Sequence, residues 1–455
     1  MIDSAIFRAY DIRGVVETAL TAETVRRIGC AFGSEMQRQG LERACVGRDG
    51  RTTGPMLRDA LVDGLLSTGV DVIDIGMVPT PTLYFATHHF ETGTGIMITG
   101  SHNPPEYNGL KMMMAGGALY GDQIQTLYQR IVADDFAQGE GQLQITDVLA
   151  AYHSRIVSDI KLDRPLKVAV DCGNGVTGVV AESLLRDLGC EVTMLFDDVD
   201  GQFPNHHPDP SKPENLNDIT KAVLDNGLDL GLAFDGDGDR VGVIDNQGQV
   251  IWPDRQMILL SEDVLSRNPG APIIFDVKCS RLLAEAIENA GGQPVMWKTG
   301  HSLVKKHLAD LKAPLAGEMS GHIFFKERWY GFDDALYVAA RLLEIFSKRS
   351  ESVAEIFAAI PNSINTPELN IHFAEGEHHA FMAEFSKLAW DGAEVSNIDG
   401  VRADFVDGFG LVRASNTTPS LVIRFEADTA AGLARIQDQF RAAMLNVAPD
   451  LELPF

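Results

Sequence analysis

Four times along the chain a short apolar run ends in an aspartate beside a glycine-rich or polar turn. The runs are Ala44–Val46 leading to Asp49, Lys167–Val170 to Asp171, Leu228–Phe234 to Asp235, and Pro272–Phe275 to Asp276. Segments of helical period follow several of them, at Met56–Ser67, Val179–Leu188 and Arg281–Ala290. Strand, polar turn and helix in that order make the βα unit of a parallel sheet. Ligands of such sheets sit beyond the carboxyl ends of the strands, where these aspartates fall. The recurrence predicts related α/β domains. With 455 residues the chain exceeds a single core, since domains usually run to about 100–200 residues, and three or four are expected. Breaks are read at Gln138–Gln144, at Trp252–Pro253 and at Pro361–Pro367. From Glu368 onward the character changes to extended segments (Leu369–Phe373, Gly400–Phe405, Gly410–Arg413, Leu421–Phe425) and two helices near Glu377–Ala389 and Ala430–Leu445, an α+β domain.

Composition narrows the classes. An apolar share of 45% with 22% charged residues is that of a folded globular chain and excludes disordered, collagenous and coiled-coil readings. With 38 Lys+Arg against 64 Asp+Glu, the net charge of −26 argues against binding to nucleic-acid backbone, which needs a concentrated basic surface. Met1 to Arg13 carries no secretory pattern, and no stretch approaches the ~20 apolar residues of a membrane span, so no membrane association is expected. The cysteines (Cys30, Cys45, Cys172, Cys190, Cys279) are odd in number, widely spaced and without a Cys-x-x-Cys pair. They read as reduced thiols of a cytoplasmic protein.

The most informative segment is Asp235-Gly-Asp-Gly-Asp-Arg240, where three carboxylates alternate with glycines after an apolar strand. Alternate side chains share one face of an extended segment, and glycine lets the backbone curl so that their oxygens converge. Hard oxygen ligands suit a divalent cation such as Mg²⁺. An EF-hand is excluded, because its Gly at position six and Glu at twelve are here Arg240 and Asn246. The bland alternative is a solvated acidic turn before a hairpin. Mutual repulsion of the three carboxylates favours the metal.

Other segments are weaker alone. Thr99-Gly-Ser-His-Asn-Pro-Pro105 follows the apolar run Gly95–Ile98 and reads as a turn-forming loop, although His102 and Lys111 could polarise the Ser101 hydroxyl or neutralise a phosphate on it. It is not the Gly-x-Ser-x-Gly elbow of hydrolases. Arg413-Ala-Ser-Asn-Thr-Thr-Pro419 could cradle a phosphate or simply join two strands. Gly317-Glu-Met-Ser-Gly-His322 sets Glu318, Ser320 and His322 at alternate positions, a set able to read sugar hydroxyls. In Phe7-Arg-Ala-Tyr-Asp-Ile-Arg-Gly14, Arg8 and Arg13 could meet anions or stay surface charges. Gly173-Asn-Gly-Val-Thr-Gly178, with Asp197 about twenty residues on, matches a dinucleotide fingerprint and carries a competing reading as an NAD-dependent oxidoreductase. That reading leaves the aspartate triplet and the Ser101 and Arg413 loops unexplained.

Taken together, in this order and spacing, the five segments closely resemble the α-D-phosphohexomutase superfamily over essentially the whole chain. The resemblance is closest to its bacterial phosphomannomutase/phosphoglucomutase group, whose sugar loop reads Gly-Glu-Met-Ser-Gly-His as here. Phosphoglucosamine mutases look similar but typically carry Gln where this chain has Met319. The resemblance implies three related α/β domains with mixed sheets plus a C-terminal α+β domain, four domains around a central active-site cleft. Their expected limits are 1–147 with the phosphoserine loop, 148–251 with the metal loop, 252–362 with the sugar loop and 363–455 with the phosphate loop. Gly173–Gly178 then becomes the first βα turn of the second domain.

The activity so implied is reversible phosphoryl transfer between O1 and O6 of mannose and glucose phosphates through a phosphoserine and a 1,6-bisphosphate. Ser101 would carry the phosphoryl group, and Asp235, Asp237 and Asp239 would hold Mg²⁺ together with a phosphoserine oxygen of Ser101. Arg13, His102, Lys111, Arg240 and Lys278 would line the reacting phosphate, with Lys111 and His301 handling protons. Tyr10, Lys278, Glu318, Ser320 and His322 would bind substrate, and Arg413, Ser415, Asn416, Thr417 and Thr418 would grip the phosphate that is not reacting. Glucose 1,6-bisphosphate, or its mannose counterpart, would serve as activator and intermediate. The partners implied are small hexose phosphates, with no nucleic acid and no membrane, for a monomer or, alternatively, a dimer. Phosphoglucosamine mutase and a non-catalytic phosphosugar-binding protein are the remaining alternatives.

Overall fold

The computed structural model describes residues 2–374, 376–416 and 418–455. Its strands form four sheets, one for each of four successive domains. In the first sheet Arg43–Arg48 lies parallel to both Asp71–Met77 and Gly95–Ile98, and Leu143–Ile145 extends the parallel edge. Tyr107–Met114 then returns antiparallel beside Gly95–Ile98 and pairs in turn with Ile12–Val15. The second sheet repeats the plan: Lys167–Asp171 lies parallel to Glu191–Leu195 and to Leu230–Phe234, and Val241–Asp245 returns antiparallel beside the latter. So does the third, with Pro272–Asp276 parallel to Gln293–Trp297 and Leu315–Gly317, and with Ile323–Phe325 antiparallel. The expected mixed sheets are therefore present in all three.

Burial explains the choice of strand. Every residue of Leu230–Phe234 is buried, as befits a strand covered on both faces, and its apolar run has no polar alternation. Asp49, Asp171 and Asp276 close equivalent strands ahead of the helices Gly54–Leu66, Ala181–Asp187 and Arg281–Asn289. The first two pin their turns directly, since Asp49 Oδ1 accepts from the Arg51 N–H (2.9 Å) and Asp171 Oδ1 from the Gly173 N–H (2.8 Å). Asp235 departs from that pattern. It opens a hairpin into Val241–Asp245 rather than a βα turn, because Asp-Gly pairs serve either connection.

The fourth sheet is wholly antiparallel. Its longest pair is Gly408–Ala414 with Ser420–Ala427, and the helices Glu377–Phe385 and Ala430–Val447 accompany it. The short strands Ile364–Asn365 and Ala393–Ser396 were not expected; at two and four residues they are too short for a period to stand out from the sequence.

One continuous apolar core joins the second and third domains and reaches Tyr84 and Phe85 of the first. The first domain has a further core of its own around Phe32 and Leu61. A separate cluster around Phe385, Phe425 and Phe440 holds the fourth. All five cysteines are buried and free. Among the described residues no helix is long and apolar enough to cross a membrane.

Phe440 is the centre of the fourth core, fully buried with its ring centroid 4.1 Å from Trp390 and 5.3 Å from Phe425. Phe440→Ala should destabilise that domain by about 3–5 kcal/mol. Calorimetry should then show a lowered fourth-domain transition while the transition of the large shared core keeps its temperature.

Candidate active site

In each of the first three domains, chemistry-bearing residues sit in the loop between the last parallel strand and its antiparallel neighbour: 99–106, 235–240 and 318–322. In the fourth they sit in the corresponding hairpin loop, between Gly408–Ala414 and Ser420–Ala427. The first three loops meet directly. Ser101 Oγ donates to Asp235 Oδ2 at 2.9 Å, and Arg240 and His322 form a β-bridge between the second and third domains.

The aspartate triplet converges as its spacing predicts. Asp235, Asp237 and Asp239 are all buried, and each offers a carboxylate oxygen within 4.8 Å of the others. Asp235 Oδ1 turns the loop around itself by accepting from the N–H groups of Gly238, Asp239 and Arg240 at 3.0, 3.1 and 3.2 Å. Glycine is required at position 236, since a Cβ there would stand 2.3 Å from the Ser101 carbonyl oxygen. Thr80 Oγ1 donates to Asp237 Oδ2 at 2.5 Å. Lys111 Nζ, carried on the strand Tyr107–Met114 opposite Met97, donates to Asp237 Oδ2 at 2.7 Å and to Asp239 Oδ2.

Charge is unevenly settled within this group. Burial opposes the charge of Lys111, yet Asp237 and Asp239 outweigh it and raise its pKa well above the ordinary lysine value. Burial also works against ionised Asp239, but Lys111, His322 and Arg240 hold it well below the usual carboxylate range. Asp235 is left uncompensated: burial, then Asp239 and Asp237, push it up to about 8 despite Arg240 and Lys111. Asp237 Oδ1 and Asp239 Oδ1 are buried without a hydrogen-bond partner among the described residues. Three converging carboxylates with spare hard oxygens and a deficit of positive charge fit a divalent cation.

Ser101 is buried and adopts φ +48°, a left-handed conformation that costs a non-glycine residue about 1–3 kcal/mol. Its Oγ lies 3.2 Å from His102 Nδ1, a ring nitrogen that also meets the Arg240 guanidinium. Burial first, then Arg240, Arg13 and Lys111, keep His102 neutral, well below the ordinary imidazole value. Arg240 reaches Asp235 Oδ2 through Nε (3.2 Å) and an Nη (3.1 Å), and Asp209 Oδ1 at 3.4 Å. Arg13 stands at the rim, donating to Asn103 Oδ1 (3.0 Å) and Asp11 Oδ2 (2.5 Å).

The third domain adds a polar wall. Glu318 Oε1 accepts from the Gly300 N–H at 2.5 Å, and Ser320 Oγ lies 2.8 Å from His322 Nδ1. His322 Nε2 faces Asp239 Oδ1 at 3.4 Å. Against burial, Asp239 and Glu318 raise His322 to about 9. Its ring stacks at 5.5 Å on His301, which burial and the cations Lys305, His322 and Lys111 hold well below the ordinary imidazole value. Lys278 stands apart from the triplet, paired with Glu368 at 2.9 Å.

The fourth domain reaches the same cleft. Asn416 Nδ2 donates to the Tyr10 hydroxyl at 2.5 Å, and that hydroxyl donates to the Thr299 carbonyl at 3.1 Å, so one side chain links three domains. Arg413 Nε donates to Asp399 Oδ2 at 2.9 Å, and the Thr418 hydroxyl to Ser415 Oγ at 3.0 Å. Thr417 lies outside the described residues.

Sequence reasoning missed several participants. Arg51, Thr80, Asp209, Asp399 and Glu368 all touch residues described above, yet none belongs to a recognisable motif, and their partners lie 14 to 157 positions away. The Gly173–Gly178 turn offers little to a dinucleotide. The Gly173 N–H is taken by Asp171, the Gly175 N–H by the Cys172 carbonyl at 2.7 Å and the Val176 N–H by the Gly236 carbonyl at 3.2 Å. Donors that would cradle a pyrophosphate are already used.

Four consecutive segments match the phosphoglucomutase/phosphomannomutase family: residues 4–138 its alpha/beta/alpha domain I, 150–248 domain II, 252–364 domain III and 368–443 its C-terminal domain. A phosphomannomutase/phosphoglucomutase of Pseudomonas putida is 55% identical over 455 residues, covering 100% of this chain and 98% of the relative. A phosphoglucomutase of Neisseria gonorrhoeae is 52% identical, covering 96% of each. The crystal structure of a phosphoglucomutase/phosphomannomutase family protein from Burkholderia thailandensis superimposes with a TM-score of 0.96 at 54% identity, covering 100% of both chains. Four matched domains in unbroken order, joined by the same loops that meet in the cleft, leave one assignment: the chain belongs to the α-D-phosphohexomutase superfamily, in its bacterial phosphomannomutase/phosphoglucomutase group.

Proposed function

We propose that this chain is a phosphomannomutase/phosphoglucomutase that moves a phosphoryl group reversibly between O1 and O6 of mannose and glucose phosphates, with Ser101 as the phosphoryl carrier. The carrying observation is the Ser101 hydroxyl, buried and hydrogen-bonded to Asp235 within a group that also contains Lys111 and Arg240. Phosphoryl transfer needs alignment and charge neutralisation more than covalent chemistry from the protein. Asp235, Asp237 and Asp239, with an oxygen of phosphorylated Ser101, would hold Mg²⁺. When bound, that ion neutralises charge on the phosphoryl group.

In the forward half, the free hydroxyl oxygen of a hexose monophosphate attacks the phosphorus of phosphoserine and its proton passes to neutral His301. The P–Oγ bond breaks and its electron pair stays on Ser101 Oγ, beside His102. The product is a 1,6-bisphosphate. After this intermediate reverses its ends in the cleft, Ser101 Oγ attacks the other phosphorus, the P–O bond to the sugar breaks, and the released sugar oxygen takes back the proton held by His301. Lys111, with its raised pKa, serves as a fixed cation rather than a base. Arg13 borders the anion, whereas Lys278, paired with Glu368, stands away from the reacting phosphate. Tyr10, Glu318, Ser320 and His322 hold the sugar, and Arg413, Ser415, Asn416, Thr417 and Thr418 grip the distal phosphate. Recognition through O3 and O4 leaves C2 unread, so both epimers are accepted. The further reading is of a cytoplasmic enzyme working as a monomer.

Conversion of mannose 1-phosphate and glucose 1-phosphate, with Mg²⁺ and a trace of glucose 1,6-bisphosphate, should proceed with kcat/KM values within about 100-fold of each other, and Ser101→Ala should abolish most of it while leaving the fold intact by circular dichroism. Turnover of glucosamine phosphate alone would move the assignment to phosphoglucosamine mutase. EDTA should stop turnover and added Mg²⁺ restore it; activity that survives chelation would reject the metal role of the triplet. Because His301 accepts a proton only when neutral and its pKa is depressed, the acidic limb of kcat/KM should lie below pH 6.5, and a limb above that value would exclude His301 as the base.

A further inference from the structure

Arg51 is among the most completely buried long side chains in the molecule, 1% exposed, and takes no part in the chemistry above. Its terminal nitrogens carry four N–H groups, and each is spent on a different backbone carbonyl of the loop that bears the proposed phosphoryl carrier. One Nη donates to Pro104 O (2.7 Å) and Tyr107 O (2.9 Å), the other to Ser101 O (2.8 Å) and Asn103 O (2.6 Å). Asp49 holds the assembly from behind. Its Oδ2 lies 3.3 Å from Arg51 Nε and accepts from the Gly100 N–H at 3.1 Å, while its Oδ1 accepts from the Arg51 N–H. Gly100 admits the guanidinium, since a Cβ there would stand 2.4 Å from Arg51 Nε. From the second domain, the Phe203 ring covers the cation at 5.1 Å.

We propose that Arg51 is the positioning residue of the Ser101 loop, a planar clamp that fixes four carbonyls and so aims the Ser101 hydroxyl at Asp235. The inference rests on the assignment of Ser101 as phosphoryl carrier. Ser101 stands at φ +48°, a backbone state that persists only where its surroundings over-determine it. Arg51 supplies that determination from one side, and the Gly236 backbone, packed against the same Ser101 carbonyl, supplies it from the other. A guanidinium suits the task because its donors form a rigid fork; a lysine ammonium has three donors on a flexible stem and cannot span four acceptors.

The test is the full-length Arg51→Lys chain, assayed with Mg²⁺ and a trace of glucose 1,6-bisphosphate. Misplacement of a reacting group by about 1 Å costs roughly 100-fold in rate. We therefore expect kcat to fall about 100-fold while KM for glucose 1-phosphate stays within about threefold. Single-turnover transfer from phosphorylated enzyme should slow by the same factor, with circular dichroism unchanged. A folded variant with kcat within about twofold of the parent would overturn the proposal, as would a KM that rises in step with the fall in kcat/KM while kcat holds. Should Arg51→Lys not fold, Asp49→Asn carries the test, with the same kcat-only loss expected at about tenfold. Failure of both variants to fold would make the cluster a folding element and overturn the positioning role. A parent chain without turnover or phosphoserine would instead remove Ser101 as carrier and the proposal with it, an outcome distinct from loss of the Arg51 role alone.

Discussion

Everything in the cleft depends on burying three carboxyl groups together. Each carboxylate of Asp235, Asp237 and Asp239 is withdrawn from water at a penalty of several kcal/mol. The second domain that carries them supplies Arg240, and the remaining compensation comes from the first domain through Lys111, Thr80 and Ser101 and from the third through His322. The triplet is therefore tolerable only when the first three domains are docked. Such a network contributes less to stability than an apolar contact of equal size would, but it admits one relative placement of the loops, because any slip leaves a buried carboxylate unpaired.

The repeated sheet plan explains how distant segments reach that placement. Three times a parallel strand is followed by a short loop and an antiparallel return, and each time the loop carries the functional groups. A hairpin tip at the end of a buried strand is held on both sides by ladder hydrogen bonds, which gives it less freedom than a loop leading into a helix. The core shared by the second and third domains then fixes two of the tips relative to each other, and Tyr84 and Phe85 bring the first domain onto the same core. Rigid packing beneath the loops lets strained and charged groups persist above it.

What was legible in the sequence was whatever is local. Alternating Asp and Gly at 235–239 declared converging oxygens, and Ser101 with His102 declared a polar loop worth comparing with Lys111. Even there the connection after Asp235 stayed open between a βα turn and a hairpin, because both use the same residues at their first positions. Arg51 was invisible for a different reason. Its importance lies in four backbone carbonyls, which have no letter in the sequence, and in a partner, Phe203, more than 150 positions away. Asp209 and Glu368 were hidden likewise, since an isolated acidic residue in a turn looks the same whether or not an arginine or lysine meets it.

The fourth domain obeys other rules. Its own core is separate, and among the described residues its apolar cluster with the third is small, Val277 against Phe409 and Leu411, with Met296 and Ile398 beside them. The rest of the junction is polar. Arg402 donates to the carbonyls of Val277 (2.7 Å) and Cys279 (2.8 Å), Arg424 donates to the carbonyl of Lys278, and Ser280 donates to Glu426 at 3.0 Å. Contacts of this kind can be exchanged for water at small cost, whereas parting the shared core of the other domains would expose a large apolar surface. The same junction holds the backbone of Lys278, while Asn416 and Tyr10 meet across the mouth of the cleft. The bisphosphate of the proposed reaction, which would have to reverse its ends without escaping, would need one wall that can yield and three that cannot, and the distribution of apolar and polar contact in this chain fits that division.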